Sequence, residues 1–191
     1  DQLKVDLKTL TQSGKTLKHL KEIYRNRVEN LSGRGEEGEF LFDKILEPYC
    51  QKVLHHILVS NPQIPGRQIT LLLSRSSVPN ASCLGEGTVV LNLGLLSRLN
   101  SEEELAFTLC HELAHYIQDH VNQNIEARVS QFYSKETQTR LKEIQNSEFN
   151  QNAQTIDLLR EFTYDSNRHS RYKESEADSI GLFLLLCLIH F

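Results

Sequence analysis

Methionine is missing from this 191-residue chain, even at position 1. The chain is therefore expected to begin at a processed or trimmed end. No signal peptide is evident. No apolar run reaches the roughly 18 residues that a membrane-spanning helix needs. The longest, Ile180–Ile189, is interrupted by Gly181. The apolar helical pattern of Gly181–Phe191 stops without a cap, so the natural protein is expected to continue past Phe191. An excess of positive charge is also lacking: 21 Lys and Arg face 25 Asp and Glu, a formal net charge of -4. Nucleic acid favours a clustered basic face. Here Lys18, Lys21, Arg25 and Arg27 are interleaved with acids, as on a solvated helix, and no nucleic-acid partner is expected. None of the four cysteines, Cys50, Cys83, Cys110 and Cys187, forms a C-x-x-C pair. That argues against a zinc ribbon or a thioredoxin-like site. Cys110 and Cys187 lie in apolar stretches and read as buried thiols, while disulfide pairing and redox compartment stay open.

What remains is an ordinary globular balance, 39% apolar and 24% charged, in a length that fits one domain with a real core. Spaced apolar residues from Leu7 to Val28 predict an amphipathic helix over 3–30 with a break at Ser13-Gly14, followed by a Gly-rich connector, Ser32–Gly38. A second helix is predicted with Phe42, Ile45, Leu46, Tyr49, Val53, Leu54, Ile57 and Leu58 on one side. Pro48 should kink it or mark its start. The period then changes. Gln68–Ser74 reads as a strand, and Ser82–Leu84 and Thr88–Asn92 flank the turn Gly85-Glu86-Gly87 as a hairpin. Ser101 with Glu104 three residues later forms a capping box for the next helix. The polar stretch Gln118–Asn152 predicts a projecting long helix or helical pair. A last helix is expected to begin near Ser170.

The chemistry centres on His111-Glu112-Leu113-Ala114-His115, an H-E-x-x-H motif. Two histidines four apart differ by about 40° and one turn, so both imidazoles face one point, as two zinc ligands on one helix must. Glu112 lies on an adjacent face, within reach of a metal-bound water. The alternative is a helix that happens to carry two histidines. The apolar Leu113 and Ala114 argue against it, because unpaired imidazoles on a buried helix are costly. Catalytic zinc needs a third protein ligand. Positions 118 and 121 are Gln118 and Val121, so it must come from elsewhere. Glu174 and Asp178, four apart, share a face of the last helix. One carboxylate there could bind zinc and the other a ligand histidine's second nitrogen. Glu176 turns to the opposite side. His120 sits about 140° around a continuous helix from His115 and reads as structural rather than as a ligand. His55-His56 reads as a surface or core pair, and Cys83 as a packed thiol.

Three blocks resemble the zinc metallopeptidases that include the HtpX-like and BepA-like bacterial proteases, the Oma-type mitochondrial proteases and the CAAX prenyl protease. Asn80-Ala81, the turn and strand, and Gly94-Leu95-Leu96 resemble the family's substrate-edge hairpin. Glu103-Glu104-Leu105-Ala106 leading into the H-E-x-x-H motif, with His120 five residues on, resembles its active-site helix. Ser170 to Gly181 matches S-R-x-x-E-x-x-A-D-x-x-G, whose first Glu, the family's zinc ligand, corresponds to Glu174.

The resemblance implies an α+β fold, a mostly helical zincin-like domain with a small sheet beside the H-E-x-x-H helix. It implies one Zn2+ per chain held by His111, His115 and Glu174, with Glu112 as general base and Asp178 behind a ligand. The expected activity is endopeptidase hydrolysis of a polypeptide substrate, in protein quality control. The competing expectation is a catalytically silent zinc module that binds protein partners. An extended substrate is expected to pair with Thr88–Asn92 taken as an edge strand, placing Asn80, Ala81, Thr88, Val89 and Val90 in the substrate site. His169, Arg171 and Tyr172 are candidate oxyanion partners. Many relatives carry transmembrane helices and this chain shows none, so it looks like the exported branch, periplasmic or membrane-associated. Within one domain, 1–62 holds N-terminal helices, 68–120 the sheet and active-site helix, 121–169 a helical insert and 170–191 the third-ligand helix.

Overall fold

Ser13 is extended (φ -130, ψ 169) and hands the chain into α1 (Gly14–Glu36). The break expected at Ser13-Gly14 is thus a helix start. A computed structural model describes residues 10–64, 69–147 and 149–189, apart from the side chains of Val28, residues 164–169 and Ile189. The part of the expected first helix over 3–9 lies outside them. At its other end α1 absorbs most of the expected connector. Glu37 N–H still donates to Gly33 O, and the chain turns only at Gly38. Leu20 and Tyr24 bury the inner face of α1, and the Tyr24 hydroxyl donates to Glu126 Oε1 at 3.1 Å.

Strand β1 (Phe40–Leu41) leads to α2 (Leu46–Ser60). Phe42 and Ile45, expected on the helix's apolar side, precede it and are exposed. Asp43 Oδ1 accepts the N–H groups of Ile45 and Leu46, at 2.9 and 2.6 Å, and so sets the start. Pro48 falls in the first turn, where a missing N–H costs nothing. Cys50, Val53, Leu54 and Ile57 face the core.

Three further strands follow: β2 (Thr70–Ser74), β3 (Ala81–Cys83) and β4 (Thr88–Asn92). β3 and β4 form the expected hairpin, with Gly87 at φ 93 in the turn, where a side chain would be strained. β2 is antiparallel to β1 and parallel to β4, giving the order β1-β2-β4-β3. The order reflects burial. Thr88, Val89, Val90 and Leu91 are all buried, the continuous β-branched pattern of a strand covered on both faces. β4 is therefore interior, and the short β3 takes the rim.

After the one-turn α3 (Leu93–Leu96) comes α4 (Glu102–Ile117), then α5 (His120–Phe132), α6 (Lys135–Asn146) and α7 (Gln151–Ile189). The polar stretch is thus two helices plus the first part of a third. The last helix begins at Gln151, not near Ser170. Its 39 residues span about 58 Å. Among the described residues of its first half Leu158 is buried and most of the rest are exposed. Ile57, Leu73, Val89, Leu91, Leu109, Leu113 and Leu184 form one hydrophobic cluster joining α2, the sheet, α4 and the end of α7.

Candidate metal centre

The Ser101 hydroxyl accepts Glu104 N–H at 3.3 Å and caps α4. The Glu104 carboxylate takes Asn100 N–H at 2.7 Å, so the reciprocal arm of the box reaches one residue further out. Leu105, Leu109, Cys110 and Leu113 then bury one side of α4. His111 and His115 face α7 across a close crossing. Ala114 and Ala177 are fully buried, and a Cβ added at Gly181 would lie 3.0 Å from His111 Cα and N. Only glycine lets the two backbones approach so closely. Glu174 stands two turns before this point, and the approach carries it to the histidines.

His111 Nε2 and His115 Nε2 are 3.1 Å apart, and Glu174 Oε2 lies 3.4 Å from the first and 3.5 Å from the second. Ligand atoms about 2.0–2.1 Å from a tetrahedral zinc sit about 3.3–3.4 Å from one another. The three donors therefore have the spacing of three corners of a zinc tetrahedron. Their chemistry agrees. His111 Nδ1 is 2.9 Å from Asp178 Oδ1, so its proton belongs there and Nε2 presents a lone pair. Two nitrogen lone pairs and a carboxylate oxygen converging without a cation would repel one another. Among the described residues this is the one group of three or more such side chains able to hold a metal.

His120 departs from the continuous-helix expectation. The helix breaks at Gln118-Asp119, and Asp119 adopts a left-handed conformation (φ 56, ψ 30). This turns His120 back under His115, with the two Nδ1 atoms 3.0 Å apart. His120 is 3% exposed, and its Nε2 is 3.1 Å from Glu176 Oε2. It lies outside the group formed by His111 Nε2, His115 Nε2 and Glu174 Oε2, and contacts one member of it through His115. Glu176, read as turned away, serves this outer contact. Lys173 secures the break, donating to Asn124 Oδ1 at 2.7 Å and His120 O at 3.3 Å.

Glu112 leaves α4 toward the sheet, where its Oε2 accepts the Cys83 N–H at 2.9 Å. Burial raises its carboxyl above the ordinary range. The His111 ring and the Cys83 N–H oppose that shift, and Glu174 adds to it. Burial also lowers the basicity of His115, with Glu174 opposing. That favours the neutral imidazole a metal needs.

The model of peptidase family M48 matches residues 45–186. The chain belongs to peptidase family M48. The family consists of zinc-dependent metallopeptidases, so this M48 chain is a metallopeptidase by membership, and the His111–His115–Glu174 group fits that metal. No curated protein and no solved structure matches the chain.

One expectation about this M48 domain is corrected by the sheet order. Thr88, Val89 and Val90 cannot receive a substrate strand, because β4 is paired with β2 on one side and β3 on the other. Of the two edge strands, β1 and β3, the one beside the H-E-x-x-H helix is β3. Asn92 N–H donates to Asn80 O and Leu84 N–H to Thr88 O, with Ser82 opposite Val90. The alternation of an antiparallel ladder then points the N–H and C=O of Ala81 and Cys83 outward. The sequence could not rank the two strands, since both flank the same turn. Cys83 itself is buried, as expected of a packed thiol.

Arg171 and Tyr172 are exposed on α7. Among the described residues neither hydrogen-bonds nor ion-pairs with His111, His115 or Glu174. Tyr172, two residues before Glu174, points to another side of the helix by about 160°. The side chain of His169 lies outside the described residues. His55 and His56 are exposed on α2, apart from the metal-facing group.

Proposed function

We propose that this chain is a zinc-dependent endopeptidase in which His111, His115 and Glu174 hold one Zn2+ and Glu112 is the general base. The observation that carries the reading is the 3.1–3.5 Å triangle of Nε2, Nε2 and Oε2 from two helices far apart in sequence. Held by His111, His115 and Glu174, a zinc ion would supply an acidified water and polarisation of the scissile carbonyl. Glu112 takes the proton of the attacking water and passes it to the leaving amine. Its raised basicity suits that double duty, and the Cys83 N–H fixes its angle. A substrate in extended form lies along β3, pairing with the outward N–H and C=O of Ala81 next to Asn80. Backbone pairing of this kind is independent of side chains, which suits cleavage of varied polypeptides. The chain's place in protein quality control belongs to the same proposal and rests on the family resemblance.

Elemental analysis of the purified chain tests the metal, and about one zinc per chain is expected. Glu174→Ala should lose it. Glu112→Gln should keep the zinc while chelator-sensitive cleavage of an unfolded protein falls at least about 100-fold. Undiminished cleavage by Glu112→Gln refutes the mechanism. Bound zinc without cleavage in the wild type points instead to a silent zinc module that binds protein partners.

A further inference from the structure

The geometry points to His120 and Glu176 as positioning residues that hold the metal-facing histidine, His115, in its ligating tautomer through a relay of two hydrogen bonds. The inference rests on the zinc reading above and goes beyond it, since neither residue faces the metal.

The argument is one of proton placement. A histidine that ligates through Nε2 carries its proton on Nδ1. His115 Nδ1 faces His120 Nδ1 at 3.0 Å. Only one proton fits between two nitrogens at that distance. If it belongs to His115, then His120 accepts at Nδ1 and its own proton sits on Nε2. There Glu176 Oε2, 3.1 Å away, is the acceptor. Glu176 therefore selects the tautomer of His120, and His120 selects that of His115. Without the carboxylate, His120 is free to carry its proton on Nδ1. Donor would then face donor, or His115 would surrender its Nδ1 proton and with it the Nε2 lone pair.

The surroundings keep the relay in place. His120 is buried at 3% exposure, so water does not readily replace either partner. The left-handed Asp119 sets the ring's direction, and Lys173 holds the His120 carbonyl from the same helix that carries Glu176. The two ligand histidines are thus supported differently. His111 has Asp178 directly, at 2.9 Å, whereas His115 has its carboxylate one imidazole further away.

Two measurements on the full chain test this. In the first, zinc affinity is measured by chelator competition for wild type, Glu176→Ala and Glu176→Gln, with thermal melts of the metal-free forms beside them. Glu176→Ala should bind zinc about 10- to 100-fold more weakly. Glu176→Gln should lose less, because its amide oxygen still accepts the His120 Nε2–H. Zinc affinity of Glu176→Ala within twofold of wild type overturns the relay while leaving the zinc site intact. In the second, imidazole nitrogen NMR of the zinc-loaded wild type reads the tautomers with no variant needed. His120 protonated at Nε2 alone supports the relay, and His120 carrying a proton on Nδ1 overturns it. A wild-type chain that takes up no zinc overturns this inference and the metal reading together.

Discussion

Gly181 offers the most direct test of how the centre is assembled. A Cβ placed there would meet His111 Cα and N at 3.0 Å and the Cys110 carbonyl carbon at 3.3 Å, all backbone atoms that cannot rotate aside. In Gly181→Ala, α7 must retreat from α4 by about 0.4 Å to reach ordinary contact. Overpacking of this kind costs about 1–3 kcal/mol, while replacing a mid-helix glycine returns about 0.5–1 kcal/mol. The net expectation is a loss of up to about 2.5 kcal/mol, or a Tm lower by up to about 10 °C at this chain length. Gly181→Leu adds branched carbon against the same backbone and forces a larger separation. Because Glu174 rides on α7, its 3.4 and 3.5 Å distances to the histidines lengthen with it. Tolerance in such sites is about 0.5 Å, so zinc affinity should fall modestly in the alanine variant and at least about tenfold in the leucine variant. Differential scanning calorimetry of the metal-free chains and chelator competition read the two effects separately. A Gly181→Leu variant that binds zinc like wild type would refute the idea that this close approach positions the third ligand.

Further expectations address the substrate edge, the metal and the thiols. Ala81→Pro removes an outward N–H from β3 without touching its pairing to β4, so kcat/KM should fall about 5- to 10-fold with zinc retained. Unchanged kcat/KM would move the substrate off this edge. Zinc at about a thousand times its Kd should stabilise the fold by about 4 kcal/mol, raising Tm by about 8–16 °C over the chelated form. A Tm that ignores chelator in wild type argues against a metal spanning α4 and α7. Burial pushes the thiol pKa of Cys50 up to about 11 and that of Cys110 up to about 12, from the ordinary 9.0. Between those values the unfolded chain holds fewer protons than the folded one. Stability should therefore decline as pH rises above about 9, by up to about 1.4 kcal/mol per pH unit for each such thiol. In the native chain a thiol reagent should label Cys187, the least buried of the four, before the others; rapid labelling of Cys50 would contradict the packing of α2.

The chain's local chemistry was readable along the sequence because it depends on near neighbours. Helix periodicity brings His111 and His115 to one side, Ser101 caps their helix, and Glu174 and Asp178 fall on one face four residues apart. The turn at Gly85-Glu86-Gly87 announces a hairpin. The family blocks then assigned Glu174 to the metal, which periodicity alone left shared between two carboxylates. Contacts that depend on packing were not readable. Which hairpin strand is exposed is decided by β2, which arrives from outside the hairpin and covers β4. The position of His120 is decided by a single left-handed residue, Asp119, that no periodic rule foresees. The partnership of Glu176 with His120 requires both that break and the crossing angle of α7. The start of α7 was missed because its first half is mostly polar, and apolar residues such as Ile156 and Leu159 are exposed rather than packed on a core. The sequence by itself determined the pairing of His111 with His115 on one helix face, with Glu112 beside them, since side-chain type and a 100° helical step settle that much. The tertiary structure alone decided which hairpin strand lies at the sheet's edge and which groups stand behind His115, because both arise where segments distant in the chain are forced into contact by burial.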